Sequence, residues 1–228
     1  MWTREQVART IDHAVLNPFA TDRDIIEACA VGRRCGVATV IVRPTDVPLM
    51  VLELEGSGVT PGTTVSFPHG ADPPEVKALA ARLALEAGVG ELDMMMNLGR
   101  FLNGDQGFVR KDIEGVVAEA GRRGALVKVI LETCYLSPEQ IALACRIARD
   151  AGAHFVKTST GFGEGPATPA AVRIMVDTVG ESMGVKAAAG IRDWDTAVRY
   201  LDLGCTRLGV RATGEVLRGG GPAATPTC

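Results

Sequence analysis

Eight short apolar runs that alternate with capped helical segments predict an α/β fold for this chain, a (β/α)8 or TIM barrel with a short extra helix before the first strand. The length of 228 residues suits such a barrel, whose usual size is ~250 residues. No G-x-G-x-x-G motif follows the first run, which argues against an open nucleotide-binding sheet. In order, the predicted strands are IDHAVL (11–16), VATVIV (37–42), TTVSF (63–67), ELDMMM (91–96), LVKVILE (126–132), HFVKTS (154–159), GVKAAA (184–189) and TRLGV (206–210).

The helices between these strands are predicted from their caps. Ser137, Pro138 and Gln140 form a capping box with proline at the first helical position. Thr168–Pro169 likewise predicts a helix start with proline at the first helical position. Asp193 predicts the start of a helix over the segment WDTAVRYLDL. Helix ends are expected at glycines that come just before the next strand, namely Gly36, Gly88, Gly124, Gly152 and Gly204.

No linker divides the chain, so residues 1–217 are predicted to form a single barrel domain. The remaining segment, RGGGPAATPTC (218–228), is predicted to be a disordered tail.

Composition excludes several classes of function. Lys and Arg are scattered, the net charge is -3 and aromatic residues make up 4% of the chain, so no nucleic-acid partner is expected. The N-terminus lacks the apolar core of a signal peptide, and no segment reaches the roughly 18 apolar residues of a membrane helix. We therefore expect a cytoplasmic protein with no membrane partner.

Cysteine and histidine spacing gives no sign of a metal site. The 6 cysteines include no C-x-x-C pair, which predicts free thiols and neither a zinc site nor a disulfide framework. The 3 histidines are dispersed at His13, His69 and His154. We expect His154 to be structural and His69 to line the mouth of the barrel.

Ionisable residues late in the strands are the candidates for catalysis, because the carboxyl ends of barrel strands form the active-site mouth. Four such residues are Asp93, Glu132, Lys157 and Lys186, and Lys128 lies earlier in its strand. A desolvated lysine near a second cation becomes a neutral amine that can attack a carbonyl and form a Schiff base. Lys157 is the candidate nucleophile and Lys186 the second cation. Asp93 could hold one lysine protonated and pass protons through a bound water.

Each of these charged residues could instead have a purely structural role. A single lysine in a strand is more often a structural ion pair, but two lysines on adjacent strands with a carboxylate reverse that preference. Lys128 is interpreted as structural, paired with Glu132 or Asp93 inside the barrel. For Glu132 two roles remain open: it could orient the lysines or react itself.

These motifs resemble the deoxyribose-phosphate aldolase family over nearly the whole chain. The resemblance is carried by IDHAVL, SFPHG, ELDMMMNLG, VKVILET, FVKTSTGFG, GVKAAAGIRDWDTA and RLGVRATG. It implies a class I aldolase without metal or cofactor, which cleaves 2-deoxy-D-ribose 5-phosphate reversibly to acetaldehyde and D-glyceraldehyde 3-phosphate. By the same resemblance Lys157 forms the Schiff base, Lys186 lowers its pKa and Asp93 belongs to a proton relay. A homodimer is expected from the family alone.

The resemblance also implies a phosphate site after the last strands, built from glycines, backbone N–H groups and hydroxyl residues. The corresponding residues here are Thr160, Gly161, Ala189, Gly190, Gly209 and Arg211. Several positions depart from the family pattern. Arg211 and Ala212 replace the hydroxyl residues, Ala189 replaces a glycine, and Ala14, Asn17, Ile41 and Arg43 replace a threonine, a lysine, a cysteine and an asparagine.

The departures leave three interpretations open. Arg211 could grip the same phosphate with two charge-assisted hydrogen bonds. Alternatively, the acceptor is another phosphorylated or carboxylated aldehyde, or Arg211 is only a surface residue. Under either of the first two interpretations, an arginine at position 211 favours a substrate that carries an anionic group. A barrel that binds sugar phosphates without catalysis is a further hypothesis, but the presence of both lysines and Asp93 argues against it.

Overall fold

The computed structural model describes residues 1–220, and its strands close into a barrel of eight parallel strands in sequence order. Each strand pairs with the next, and the first pairs with the last. The predicted fold class is therefore confirmed. The strands are β1 Ile11–Val15, β2 Thr39–Val42, β3 Thr60–Val65, β4 Glu91–Met95, β5 Leu126–Ile130, β6 Phe155–Lys157, β7 Gly184–Ala188 and β8 Arg207–Val210.

Helices connect the strands and cover the outside of the barrel. The short extra helix before β1 is present and begins with a capping box at Thr3. The described helices are α1 Arg4–Ala8, α2 Asp22–Cys35, α3 Val47–Leu54, α4 Pro74–Glu86, α5 Leu98–Leu102, α6 Gln106–Gly121, α7 Pro138–Asp150, α8 Pro169–Val179, α9 Trp194–Asp202 and α10 Thr213–Arg218. None of them is long and apolar enough to cross a membrane.

The predicted helix caps are confirmed. Ser137, Thr168 and Asp193 each accept a backbone N–H from the third residue of the helix that follows. The five predicted stop glycines all have left-handed φ angles, between 65° and 104°, where glycine avoids the clash that a side chain meets. The helix ends one or two residues before four of these glycines, and three residues before Gly124, since α6 stops at Gly121.

Strand β3 begins three residues before the predicted start, because Pro61 and Gly62 resemble a turn in sequence but lie in the sheet. Gly62 is the register partner of Ile41 on β2. A Cβ atom on Gly62 would lie 2.4 Å from Cδ1 of Ile41, so close packing inside the barrel requires a glycine here. The strand ends at Val65 because Ser66 adopts a φ of 55°.

Alternate strand residues point to opposite sides of the barrel wall. The outward residues join one hydrophobic core between strands and helices, which includes Leu92, Val127, Val156, Val185 and Leu208. The residues between them are largely charged, and their contacts lie inside the barrel.

The cysteines and the tail depart in part from expectation. Cys29, Cys134, Cys145 and Cys205 are free thiols, but Cys35 is disulfide-bonded. The prediction of a free thiol is wrong for Cys35, because spacing along the chain does not show which thiols the fold brings together. At the predicted tail, α10 extends to Arg218 and Gly219 and Gly220 pack against Trp194. Residues 221–228 lie outside the described residues.

Candidate active site

Charged side chains fill the interior of the barrel, where aliphatic layers are usual. Three carboxylates and four cations from six strands contact one another, and we call them the charge cluster. All are buried except the Arg207 side chain, which is 15% exposed. The charge cluster consists of Asp12, Glu91, Asp93, Lys128, Lys157, Lys186 and Arg207.

Asp93 is the hub of the charge cluster. Its Oδ1 accepts a hydrogen bond from Lys128 Nζ at 2.9 Å, and its Oδ2 accepts from Lys157 Nζ at 2.8 Å and Lys186 Nζ at 2.7 Å. Burial alone would raise the pKa of Asp93, but the three lysines hold that pKa well below its ordinary 3.8. Asp93 is thus an ionised acceptor that touches both predicted catalytic lysines.

Lys157 is the last residue of β6 and is 4% exposed. Burial lowers the pKa of its amine to about 8; Asp93 opposes the shift, while Lys186 and Lys128 add to it. The Nζ also lies 5.8 Å from the centroid of the Phe67 ring. At neutral pH roughly a tenth of a group with such a pKa is the free amine, so Lys157 is suited to attack a carbonyl.

Lys186 lies beside Lys157, as the sequence predicts. The two are register partners on β6 and β7. Lys186 Nζ donates to Asp93 and, through a short contact, to Asp12 Oδ2. The structure therefore brings together all three predicted catalytic residues, Asp93, Lys157 and Lys186.

Lys128 is structural, as predicted, but only one of its two proposed partners is correct. Its Nζ contacts Asp93, Asp12 at 3.1 Å and Glu91 at 2.6 Å. Although burial disfavours the charge, these carboxylates raise the pKa of Lys128 above its ordinary value. Lys128 is therefore a permanent cation.

Glu132 makes no hydrogen bond or ion pair with Lys128, Lys157 or Lys186. It follows the end of β5 with a φ of 54°, and its carboxylate accepts hydrogen bonds from the backbone N–H of Thr160, at 3.0 Å, and from the Thr160 hydroxyl. The expectation that Glu132 pairs with Lys128 or orients the lysines is wrong. Glu132 instead fixes the loop after β6.

Three members of the charge cluster were not singled out from the sequence. Asp12 and Arg207 are each the only Asp, Glu, Lys or Arg of their strand, and Glu91 lies two residues before Asp93 on β4. These charges in otherwise apolar strands were the available signal, because a strand that lines a buried barrel seldom carries an unpaired charge. Their pairing depends on register between strands that are distant in sequence.

A cavity of about 730 Å³ opens at the mouth of the barrel. Its lining includes His69, as predicted, together with Phe67, Thr160 and Phe162. The Phe67 and Phe162 rings meet edge to face with centroids 5.4 Å apart. Because Phe67 also faces Lys157, its ring connects the lining of the cavity to the amine. Within residues 1–220, no group of three His, Cys, Asp or Glu side chains is arranged to hold a metal ion.

Comparison with known proteins identifies the family. No protein-family model matches the chain. A deoxyribose-phosphate aldolase from Thermococcus gammatolerans is 46% identical over 215 residues, covering 93% of this chain and 96% of the relative. One from Thermococcus kodakarensis is 44% identical over 218 residues, covering 95% and 97%. The chain belongs to the deoxyribose-phosphate aldolase family.

A solved structure agrees with this assignment. The deoxyribose phosphate aldolase from Aeropyrum pernix, described as a unique tetramer, superposes with a TM-score of 0.89 at 32% identity. The alignment covers 95% of this chain and 91% of the Aeropyrum chain. A non-catalytic barrel and an aldolase for a different acceptor are both disfavoured by these matches.

The residues predicted to bind phosphate lie at or after the carboxyl ends of the last three strands. Gly161, Ala189 and Gly190 have left-handed φ angles of 84°, 69° and 82°. A Cβ atom on Gly161 would lie 3.8 Å from that of Ala189, so the loops after β6 and β7 touch. A Cβ atom on Gly209 would lie 3.3 Å from Lys186 Cε. Here glycine leaves room beside the charge cluster.

Arg211 directly follows the carboxyl end of β8 but does not line the cavity of about 730 Å³. It is exposed and lines a different cavity, of about 320 Å³, together with His13, Asn17 and Glu27. Its side chain makes no hydrogen bond or ion pair with any other residue in the described part of the chain. The structure does not place it beside Lys157.

Arg43 lines the mouth but is not available to bind an anion. Its guanidinium donates to both carboxylate oxygens of Asp46, at 2.6 and 3.0 Å. It also donates to the backbone carbonyls of Asn17, Pro18 and Ala20, at 3.2, 2.9 and 2.8 Å. All five N–H groups of the guanidinium are thereby used. Arg43 therefore holds the loops of the mouth together through its own hydrogen bonds.

Proposed function

We propose that this chain is a class I aldolase that reversibly cleaves 2-deoxy-D-ribose 5-phosphate to acetaldehyde and D-glyceraldehyde 3-phosphate, with Lys157 as the Schiff-base nucleophile. The observation that carries the proposal is the placement of the Lys157 amine, at the end of β6, buried beside two other lysines and one carboxylate. Family membership supports the substrate, because the relatives bear the name of this activity.

The reaction follows from an amine in this position. Lys157 Nζ attacks C1 of the open-chain sugar, and loss of water gives an iminium. The iminium accepts the electron pair of the C2–C3 bond when the C3 hydroxyl loses its proton, which releases D-glyceraldehyde 3-phosphate and leaves an enamine on Lys157. Protonation at C2 and hydrolysis then release acetaldehyde and restore the amine.

Asp93 and Lys186 support these proton transfers. Asp93 Oδ2 accepts from both Lys157 and Lys186, so a proton leaving the substrate through a bound water has an acceptor in reach. Lys186 keeps positive charge next to Lys157, which favours the free amine. No step requires a cofactor.

The phosphate is proposed to bind across the loops after β6, β7 and β8. The left-handed backbone at Gly161, Ala189 and Gly190 is the kind of geometry that turns successive N–H groups toward an anion. Arg211, directly after β8, supplies a cation that makes no ion pair within residues 1–220. A cytoplasmic location and a homodimeric or larger assembly remain predictions.

Retro-aldol activity tests the proposal directly. The full chain is incubated with deoxyribose 5-phosphate, and acetaldehyde release is measured. We expect release by the parent, loss by at least a thousandfold in Lys157→Met, an order of magnitude usual for a missing nucleophile, and full activity in Lys111→Met, which removes an exposed lysine. No release by the parent, or release by Lys157→Met, would overturn the proposal.

The role of Arg211 needs a separate comparison of substrates. If Arg211 binds the phosphate, Arg211→Ser raises KM for deoxyribose 5-phosphate about tenfold, the effect of a lost charge-assisted contact, and leaves unphosphorylated deoxyribose unaffected. Arg123→Ser is the control, since Arg123 is exposed and precedes β5 at the opposite end of the barrel. Equal KM values in parent and Arg211→Ser would assign Arg211 to the surface.

A further inference from the structure

A second ion pair lies at the base of the charge cluster, away from the mouth. Arg207 Nη1 and Nη2 each donate to Glu91 at 2.8 Å, to Oε2 and Oε1 respectively. Arg207 Nη1 also donates to Asp12 Oδ1 at 2.7 Å and to the Thr39 hydroxyl at 3.1 Å. Neither Glu91 nor Arg207 contacts Lys157, so neither is a catalytic residue.

Two chains of contacts nevertheless connect this base to Lys157. Glu91 Oε2 contacts Lys128 Nζ at 2.6 Å, Lys128 contacts Asp93, and Asp93 contacts Lys157. The second chain runs from Arg207 through Asp12 and Lys186 to Asp93 Oδ2, the oxygen that Lys157 also contacts. A change of charge at the base therefore reaches the nucleophile through buried groups, where screening by solvent is weak.

The charges balance in only one protonation state. Asp12, Glu91 and Asp93 offset Lys128, Lys186 and Arg207, so the charge cluster is neutral when Lys157 is a free amine and carries one excess positive charge when Lys157 is protonated. These charged groups come from β1, β4, β5, β7 and β8. The inward positions of β2 and β3 are uncharged, at Thr39, Ile41, Gly62 and Thr64, and Phe67 covers Lys157 after β3.

Lys157 is also the group that would respond to a changed charge. Although all of them are desolvated, Asp12, Glu91 and Asp93 have pKa values lowered by their cationic partners, and Lys128 and Arg207 have pKa values raised by their carboxylates. These five are therefore held in their charged forms at neutral pH. The pKa of Lys157 lies close to neutral.

We propose that Arg207 and Glu91 are positioning residues that set the protonation of Lys157 from the base of the barrel, acting through Lys128, Asp12 and Asp93. This inference rests on the proposed function, in which Lys157 is the nucleophile. Loss of the Arg207 charge makes Lys157 hold its proton more tightly. Loss of the Glu91 charge has the opposite effect.

The pH dependence of Schiff-base trapping tests this proposal. The full chain is treated with acetaldehyde and cyanoborohydride across pH 6 to 10, and ethylation of Lys157 is followed by mass spectrometry, with exposed Lys111 as the internal reference. We expect the midpoint to rise by about one pH unit in Arg207→Met and to fall by about one in Glu91→Gln, the lower end of the effect of a nearby charge. Arg207→Lys keeps the charge and the parental midpoint. In the double variant Arg207→Met/Glu91→Gln, the pH midpoint should return toward the parental value.

The outcomes separate this inference from the proposed function. If Lys157 is labelled with the same pH midpoint in the parent and all variants, the Arg207–Glu91 ion pair is only structural. The inference then fails while the proposed function stands. Absence of label on Lys157 in the parent at every pH would defeat the proposed function itself. If Arg207→Met does not fold, the downward shift in Glu91→Gln decides the matter.

Discussion

Lys128 and Lys157 are buried lysines on neighbouring strands whose protonation differs because their partners differ. Burial lowers the pKa of each. Lys128 contacts three carboxylates, which more than offset burial. Lys157 contacts one carboxylate and has two lysines nearby, so its pKa stays low. These different neighbours hold Lys128 as a cation and favour the free amine of Lys157, the proposed nucleophile.

The lowered pKa of Lys157 predicts how activity depends on pH. The pKa falls from 10.5 to about 8, and only the unprotonated amine attacks. The rate of imine formation should therefore rise as pH increases from 7 to 9 and then level off. In Lys186→Met the rise should occur at higher pH, because a neighbouring cation no longer favours the amine. Single-turnover rates across this range would contradict the account if they were flat in the parent.

Ala189 is a non-glycine residue with a φ of 69°, a conformation that strains an L-residue by about 1–2 kcal/mol. Ala189→Gly should relieve this strain, offset partly by the flexibility of glycine in the unfolded chain. We expect unfolding free energy to rise by about 0.5 kcal/mol. Ala188→Gly, one residue earlier in β7, is the control and should lose about 1 kcal/mol. Urea denaturation measures both, and destabilisation by Ala189→Gly would contradict the strain argument.

At the scale of secondary-structure elements, Arg43 joins the loop after β1 to the turn after β2. Its five donors hold three backbone carbonyls within residues 17–20 and the carboxylate of Asp46. Pro18 and Arg43 both line the mouth cavity. The guanidinium thus shapes the mouth by fixing its wall. The sequence shows only that Arg43 stands where the family has an asparagine. It does not reveal this clamp, because the carbonyls that Arg43 contacts lie 23 to 26 residues away.

Removing this clamp should weaken both the loop and the site. Arg43→Ala leaves five hydrogen bonds unmade, and we expect a loss of about 2 kcal/mol in unfolding free energy together with a raised KM and faster proteolysis within residues 16–21. Arg33→Ala is the matched control, because Arg33 donates to a single carbonyl, that of Glu53 at 2.8 Å. Its effect should stay within about 0.5 kcal/mol. Equal losses in the two variants would show that Arg43 is not a clamp.

At the scale of the whole molecule, the fold could be predicted because each strand and helix carries its own signal, such as the Ser137 capping box or the stop at Gly36. The buried position of Lys157 beside Lys186 and Asp93 could be predicted because all three lie late in strands of the predicted barrel. The full charge cluster could not, since Asp12 and Arg207 meet only when the barrel closes, 195 residues apart in sequence. The surroundings of Arg211 could not be predicted either, because its position in the sequence does not determine which cavity its side chain lines.

A barrel filled with ionised carboxylates should be sensitive to acid. The pKa values of Asp12, Glu91 and Asp93 are lower in the folded protein than their ordinary values, since cations outweigh burial. The unfolded chain therefore binds more protons as pH falls below about 4, and stability declines there by up to about 1.4 kcal/mol per pH unit for each carboxylate. Above pH 5 this contribution is constant. Urea denaturation from pH 3 to 7 measures it, and a flat profile below pH 4 would contradict the charge assignment.

Borohydride trapping with acetaldehyde, followed by peptide mapping, shows whether Lys157 forms the covalent intermediate. We expect a single ethyl group on the peptide that contains Lys157, none on Lys128 or Lys186, and no label on any buried lysine of the folded Lys157→Met variant. An unlabelled Lys157 peptide at saturating acetaldehyde, or label on Lys186 in its place, would show that Lys157 is not the nucleophile.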